Sequence, residues 1–194
     1  SLMGTVILGV ISTGDFQKKK NADLIFSIYD RLSKGGGLLP PAVGFLFDSE
    51  RLSPTDKKDL QRKSHNAVTF LERRMIENYL LNTNGIFSVF MNIPEVADLK
   101  ITLEDIQEWI DQNKWKKEYI SKEHLTKKVD ENWLTNVDGA KFLSDLFNSV
   151  SKQKLAFDKL KHSVALCDWV IENSFDDLKE IQALLTKVLK KPEF

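Results

Sequence analysis

A chain of 194 residues with 42% hydrophobic content can bury one core, or one core with a helical appendage, which excludes a disordered tail and a many-domain assembly. Lysine plus arginine number 28, as do aspartate plus glutamate, so no global field recruits nucleic acid and any such binding must come from local clustering. Cys167 is the only cysteine, which rules out an intrachain disulfide and a thiolate metal cage and makes a reducing, cytoplasmic setting the expectation.

Ser1-Leu2 ahead of Met3 has the look of a cloning remnant, and the chain reads as a piece of a longer protein. The apolar run that follows is too short to span a bilayer and lacks the basic flank of a signal peptide, so no membrane association is expected. Three short runs, Val6 to Ile11, Ala42 to Phe47 and Ala67 to Leu71, are apolar, rich in β-branched or aromatic residues and bounded by turn residues, as buried strands are. Between them lie helical patterns. Ala22 to Leu32 puts Leu24, Ile25, Ile28, Tyr29 and Leu32 on one face, and Ser53-Pro54 opens a polar helix that ends near Lys63. Lys34-Gly-Gly-Gly37 and Pro40-Pro41 stop the first helix and form a turn rather than a phosphate cradle, because the glycines do not lead from a strand into a helix. Alternation of strand and helix predicts a parallel sheet and an α/β fold.

From about residue 84 the pattern becomes helical. Thr102-Leu-Glu-Asp105 has the form of a capping box ahead of an amphipathic stretch through Ile106, Trp109 and Ile110. Lys114 to Lys117 brackets Trp115, and Trp133 follows in polar surroundings; base stacking is one reading, and amphipathic core tryptophan is the commoner one. The last third holds helical patterns over Lys141 to Ser149, Ala156 to Asn173 and Phe175 to Lys190. Leu160, Val164, Leu166, Cys167, Val170 and Ile171 are read as the apolar face of the long one, with Cys167 in the core. His65, His124 and His162 have no ligand spacing and are read as surface or helix-packing residues.

Open parallel sheets gather functional groups at the carboxyl ends of their strands. Asp48 and Glu50 stand there, spaced so that both carboxylates can point to one side of an extended strand end and share a hard cation. Taken alone, the pair is also what an Asp48 that caps the next turn beside a solvated Glu50 looks like. Leu71 to Leu81 follows the third strand at once and becomes helical, with Glu77 near the helix start at the edge that carries Asp48; Arg73, Arg74 and Glu77 are otherwise a surface ion-pair cluster. Asn136 to Leu146 turns into a helix with Lys141 in its first turn, where a cation opposes the helix dipole and an anionic ligand explains it.

Taken together, Phe-Leu-Phe-Asp48-Ser-Glu50, then Arg73-Arg-Met-Ile-Glu77-Asn-Tyr-Leu-Leu81, then Asp138-Gly-Ala-Lys141 with helices behind, resemble the Toprim domain of OLD-family (overcoming lysogenization defect) nucleases and related ABC-ATPase-associated proteins. The resemblance covers about residues 3 to 190 and implies a Rossmann-like Toprim sheet flanked by helices, with a helical insertion at about 84 to 132 and C-terminal helices at about 141 to 190. It implies a phage-defence type of activity, Mg2+- or Mn2+-dependent cleavage of DNA phosphodiesters, beside an ABC-type ATPase domain in cis or in trans; a homodimer is a further partner option that does not come from the resemblance. Carried over residue by residue, the metal ligands are Asp48, Glu50 in place of the family's second aspartate, and Glu77; Lys141 joins them as a catalytic residue, with Ala140 inserted after Gly139. The acidic residue that ends the family's first strand has no counterpart, since Val6 to Asp15 looks like its second strand and Asp15, the candidate substitute, stands in the wrong context. That departure implies weak or absent activity of this chain alone. It leaves open a catalytically degenerate module that docks to DNA or an ATPase. An aspartyl nucleophile at Asp48 is a third reading, for which Arg51-Leu-Ser53 lacks the usual context.

Overall fold

The computed structural model describes residues 44–49, 52–64, 66–120 and 132–189. The strand expected at Val6 to Ile11, the helix at Ala22 to Leu32, the glycine turn, Asp15, Glu50, His65 and His124 lie outside the described residues. The described chain is predominantly helical, with a two-stranded parallel sheet. It divides into two compact units, residues 1–45 with 52–68 and residues 46–51 with 69–194. No described helix is long and apolar enough to cross a membrane.

Strand β1 covers Phe45–Phe47 and strand β2 Val68–Phe70. In the first unit the Phe45 N–H donates to the Ala67 carbonyl at 2.8 Å. Helix α1, Pro54–Lys63, starts where the sequence predicts. Ser53 accepts from the Asp56 N–H at 3.1 Å while the Asp56 carboxylate takes the Ser53 N–H at 3.3 Å, and Pro54 begins the first turn without wasting a donor. Ser64 ends the helix, and its hydroxyl accepts the Val68 N–H at 3.2 Å, which fixes where β2 begins.

In the second unit the Leu71 N–H donates to the Phe47 carbonyl at 2.8 Å. A single 3-10 turn at Ile76–Tyr79 precedes α2 (Thr83–Met91). A second 3-10 segment, Pro94–Leu99, leads to α3 (Leu103–Asn113), whose capping box from Thr102 and Asp105 forms as predicted. Short α4 (Trp133–Asn136), α5 (Gly139–Val150), α6 (Lys159–Asn173), a 3-10 turn (Phe175–Leu178) and α7 (Lys179–Leu189) complete the unit.

Helix α5 is the centre of the core. Phe142, Leu143, Leu146 and Phe147 recur at one and four residues, the spacing that puts four side chains on one helical face, and all are fully buried. Phe147 stacks on Phe90 of α2 at 4.7 Å between ring centroids, while Phe142 takes Trp109 and Tyr119 edge-on at 5.1 and 5.0 Å and Trp133 at 5.2 Å. Trp109, Trp115 and Trp133 all pack against this core, in line with the packing reading of those tryptophans. Gly85 lets α2 and α6 approach closely: a Cβ there would stand 2.8 Å from the Trp169 ring.

Helix α6 corrects one expectation. Its six apolar residues do not share a buried face: Leu166 and Val170 are fully buried and Cys167 half-buried, whereas Leu160, Val164 and Ile171 face outward. Side chains three or four apart line up on a helix, so His162, Leu166 and Val170 form one stripe, turned to the core, and Leu160, Val164, Cys167 and Ile171 another, of which Cys167 alone packs against the core, as expected of it. His162 packs within the helices, as expected, stacked on Phe147 at 5.0 Å with its Nδ1 accepting the Asp158 N–H at 2.8 Å.

Candidate functional site

All of the groups that follow belong to the second unit. Asp48 is the first residue after β1, and its Oδ1 accepts the Ile76 N–H at 2.9 Å. Next to it the buried Ser49 hydroxyl donates to the Leu71 carbonyl just past β2. The two strand exits are thus tied together by side chains, and the 3-10 turn that carries Glu77 is anchored at its first residue by Asp48.

Glu77 sits in that turn with 1% exposure. The Lys159 ammonium, at the start of α6, lies 2.6 Å from its Oε1. Neither Glu77 oxygen has a hydrogen bond of good geometry among the described residues, so Oε2 is buried and unpartnered. A buried carboxylate is costly unless a cation compensates it, and Lys159 is that cation here. Asn78, the next residue, donates through Nδ2 to the Leu134 and Val137 carbonyls at 2.7 and 3.0 Å.

The third segment packs directly on this turn. Gly139 opens α5 so close to it that a Cβ would lie 2.3 Å from Asn78 Oδ1, 3.0 Å from the Asn78 nitrogen and 3.1 Å from the Glu77 carbonyl carbon. Arg74 reinforces the junction, with Nη2 2.7 Å from Asp138 Oδ2 and Nη1 3.4 Å from the Tyr119 carbonyl. Asp138 is the N-cap of α5 and accepts the Lys141 N–H at 3.1 Å.

Lys141 is in the first turn of α5 as predicted. Its ammonium is held 2.6 Å from Asp145 Oδ2 and 5.2 Å from the centre of the Tyr119 ring. The Asp145 carboxylate beside it holds its pKa above the ordinary lysine value, so it is a charged group throughout the neutral range. Tyr119 donates to the same Asp145 at 3.0 Å, and burial together with Asp145 pushes the phenol above its ordinary pKa.

Arg73 points elsewhere. Its guanidinium lies 4.3 Å from the Tyr79 ring centre and donates to the Asn78 carbonyl at 2.9 Å. The Tyr79 hydroxyl donates to Glu180 of α7, which also accepts the Glu72 N–H at 3.0 Å. Burial first, and Glu180 second, raise the Tyr79 pKa.

Segments 48–49, 73–81 and 138–145 therefore come together through backbone and side-chain contacts. Their charged ends are each engaged: Asp48 by a backbone N–H, Glu77 by Lys159, Lys141 by Asp145. Among the described residues no three histidine, cysteine, aspartate or glutamate side chains gather as a metal cage. Asp48 and Glu77 nonetheless offer the hard oxygen donors that magnesium or manganese takes, and the unpartnered Glu77 Oε2 is the type of atom such an ion would satisfy.

Lys159 was not singled out by sequence reasoning, although the signal that marked Lys141 applies equally to it. Both are lysines in the first turn of a helix capped by an aspartate, Asp138 in one case and Asp158 in the other. Searches for likeness found no family model, no curated protein and no solved structure that matches this chain.

Proposed function

We propose that this chain is a Toprim-type domain for divalent-metal-dependent cleavage of DNA phosphodiesters, working beside an ATPase domain. The observation that supports the reading is the meeting of the three resembling segments, far apart in sequence, around Glu77 and Asn78. Asp48, Glu50 and Glu77 are the residues that would hold Mg2+ or Mn2+. That ion, when bound, supplies Lewis-acid polarisation of the phosphate and a more acidic water. Asp48 is kept oriented by the Ile76 N–H, and Lys159 balances the charge of Glu77. Lys141 trades Asp145 for a phosphate oxygen, placing positive charge where negative charge grows as the bond breaks. In the full-length protein with its ATPase, Asp48→Ala is expected to lower metal-dependent cleavage of plasmid DNA on the order of 100-fold. Unchanged cleavage removes the mechanism.

A second reading, a degenerate module that docks to DNA or to an ATPase without cutting, is favoured by the internal neutralisation of Glu77 by Lys159 and of Lys141 by Asp145. Calorimetric titration with Mn2+ separates the two. Saturable heat that disappears in Asp48→Asn supports the metal site, and no heat supports the docking module.

A further inference from the structure

The outward stripe of α6 has more order than a scatter of exposed apolar residues. Leu160 is 78% exposed, Val164 58% and Ile171 48%, with half-buried Cys167 between them, and the spacing of four, three and four keeps all four on one line along the helix. The stripe runs about 16 Å at the helical rise per residue. Contiguous exposed apolar surface of this kind marks a site of association.

The charges beside the stripe say with what. On one flank stand Lys161, Asp168 and Glu172, all exposed, so the flank is basic near the helix start and acidic near its end. Two copies of the helix laid antiparallel about a two-fold axis between residues 165 and 166 bring Leu160 over the partner copy's Ile171 and Val164 over its Cys167. The same operation places Lys161 of one copy between Asp168 and Glu172 of the other, twice by symmetry. An isologous contact needs such a self-complementary patch. Opposite charges flanking an apolar seam are what fix orientation in paired helices.

We propose that this stripe of α6 is a self-association surface, on which a second copy of the chain docks antiparallel through Leu160, Val164, Cys167 and Ile171. One stripe on one helix offers less than the roughly 800 Å² per partner of a standard stable interface, so the dimer is weak and depends on concentration.

Sedimentation velocity of the whole chain, from a few micromolar to several hundred micromolar, reads this out. A monomer–dimer equilibrium is expected. Lys161→Glu alone, and Asp168→Lys with Glu172→Lys, should each raise the dissociation constant about ten-fold or more, the loss of an opposed pair being replaced by like charges. The triple variant that combines them should return to within about three-fold of the original, since the pairs are restored with reversed sign. All three positions are exposed, and circular dichroism confirms that each variant is folded. A monomer at every concentration overturns the proposal, as does a dimer indifferent to Leu160→Ser with Ile171→Ser. A dimer that the single and double charge variants weaken but the triple variant fails to restore overturns the antiparallel register.

Discussion

Glu77 shows what a single buried charge demands. Its carboxylate is shielded from water and compensated by one ammonium, whose own side chain is 66% exposed. Removing the lysine leaves the acid buried and uncompensated, while removing both charges leaves two neutral groups. Lys159→Met is therefore expected to cost about 2 kcal/mol, below the 3–5 kcal/mol of a fully buried pair because the exposed ammonium is screened by solvent. Glu77→Gln with Lys159→Met should recover most of that loss, as urea denaturation of the three proteins would show. His162 makes the parallel case for a neutral group. Burial holds its pKa below the ordinary histidine value, with Lys161 adding to the depression and Asp158 and Glu95 opposing it. The unfolded chain then takes up the proton first as pH falls below about 6.5, so stability is full above that pH and declines beneath it. His162→Phe is expected to flatten the change in urea midpoint between pH 7.5 and pH 5.5; an unaltered slope would assign it to other groups.

At the scale of elements, much was written locally. The capping box at Thr102 and the Ser53-Pro54 pair act on residues within three of themselves, so sequence alone shows where those two helices begin, whereas α5 starts at Gly139, two residues ahead of the pattern read from Lys141. Thr102→Ala is expected to cost about 1 kcal/mol, visible as a lower melting temperature. What could not be read locally are the long-range choices. The Glu77 to Lys159 pair, the Arg74 to Asp138 pair and the grip of Asn78 on Leu134 and Val137 join residues 56 to 82 apart. Which stripe of α6 faces inward is decided by Phe147 and its neighbours, not by α6 itself. The segment at Glu77 forms a single 3-10 turn rather than a full helix, with the Arg74 N–H ahead of it bound to the Thr135 carbonyl at 2.9 Å. Two glycines test the close approaches. Gly85→Ala should gain up to about 1 kcal/mol of helix propensity and still lose stability, because overpacking costs about 1–3 kcal/mol when a ring must shift. Gly139→Ala meets backbone as well as side chain, and is expected to be the worse of the two by thermal melting.

For the molecule as a whole, equal numbers of acidic and basic residues agree with what the site shows locally. Arg74, Lys141 and Lys159 are each spent on a carboxylate, and Arg73 on Tyr79. Among the described residues few cations remain there for phosphates, so DNA affinity of the chain alone should fall only about ten-fold between 50 and 200 mM salt, where six to ten phosphate contacts would give about a thousand-fold or more. A steep salt dependence would point to a basic surface away from this site. The aromatic cluster around α5 has an optical consequence. All four tryptophans, Trp109, Trp115, Trp133 and Trp169, lie in the second unit, so indole emission reports on that unit and is blind to the first. Far-ultraviolet circular dichroism sees the helices of both. Unfolding followed by the two signals superimposes only when the units melt together, and a fluorescence transition that lags or leads the dichroism would reveal each unit by its own colour of light.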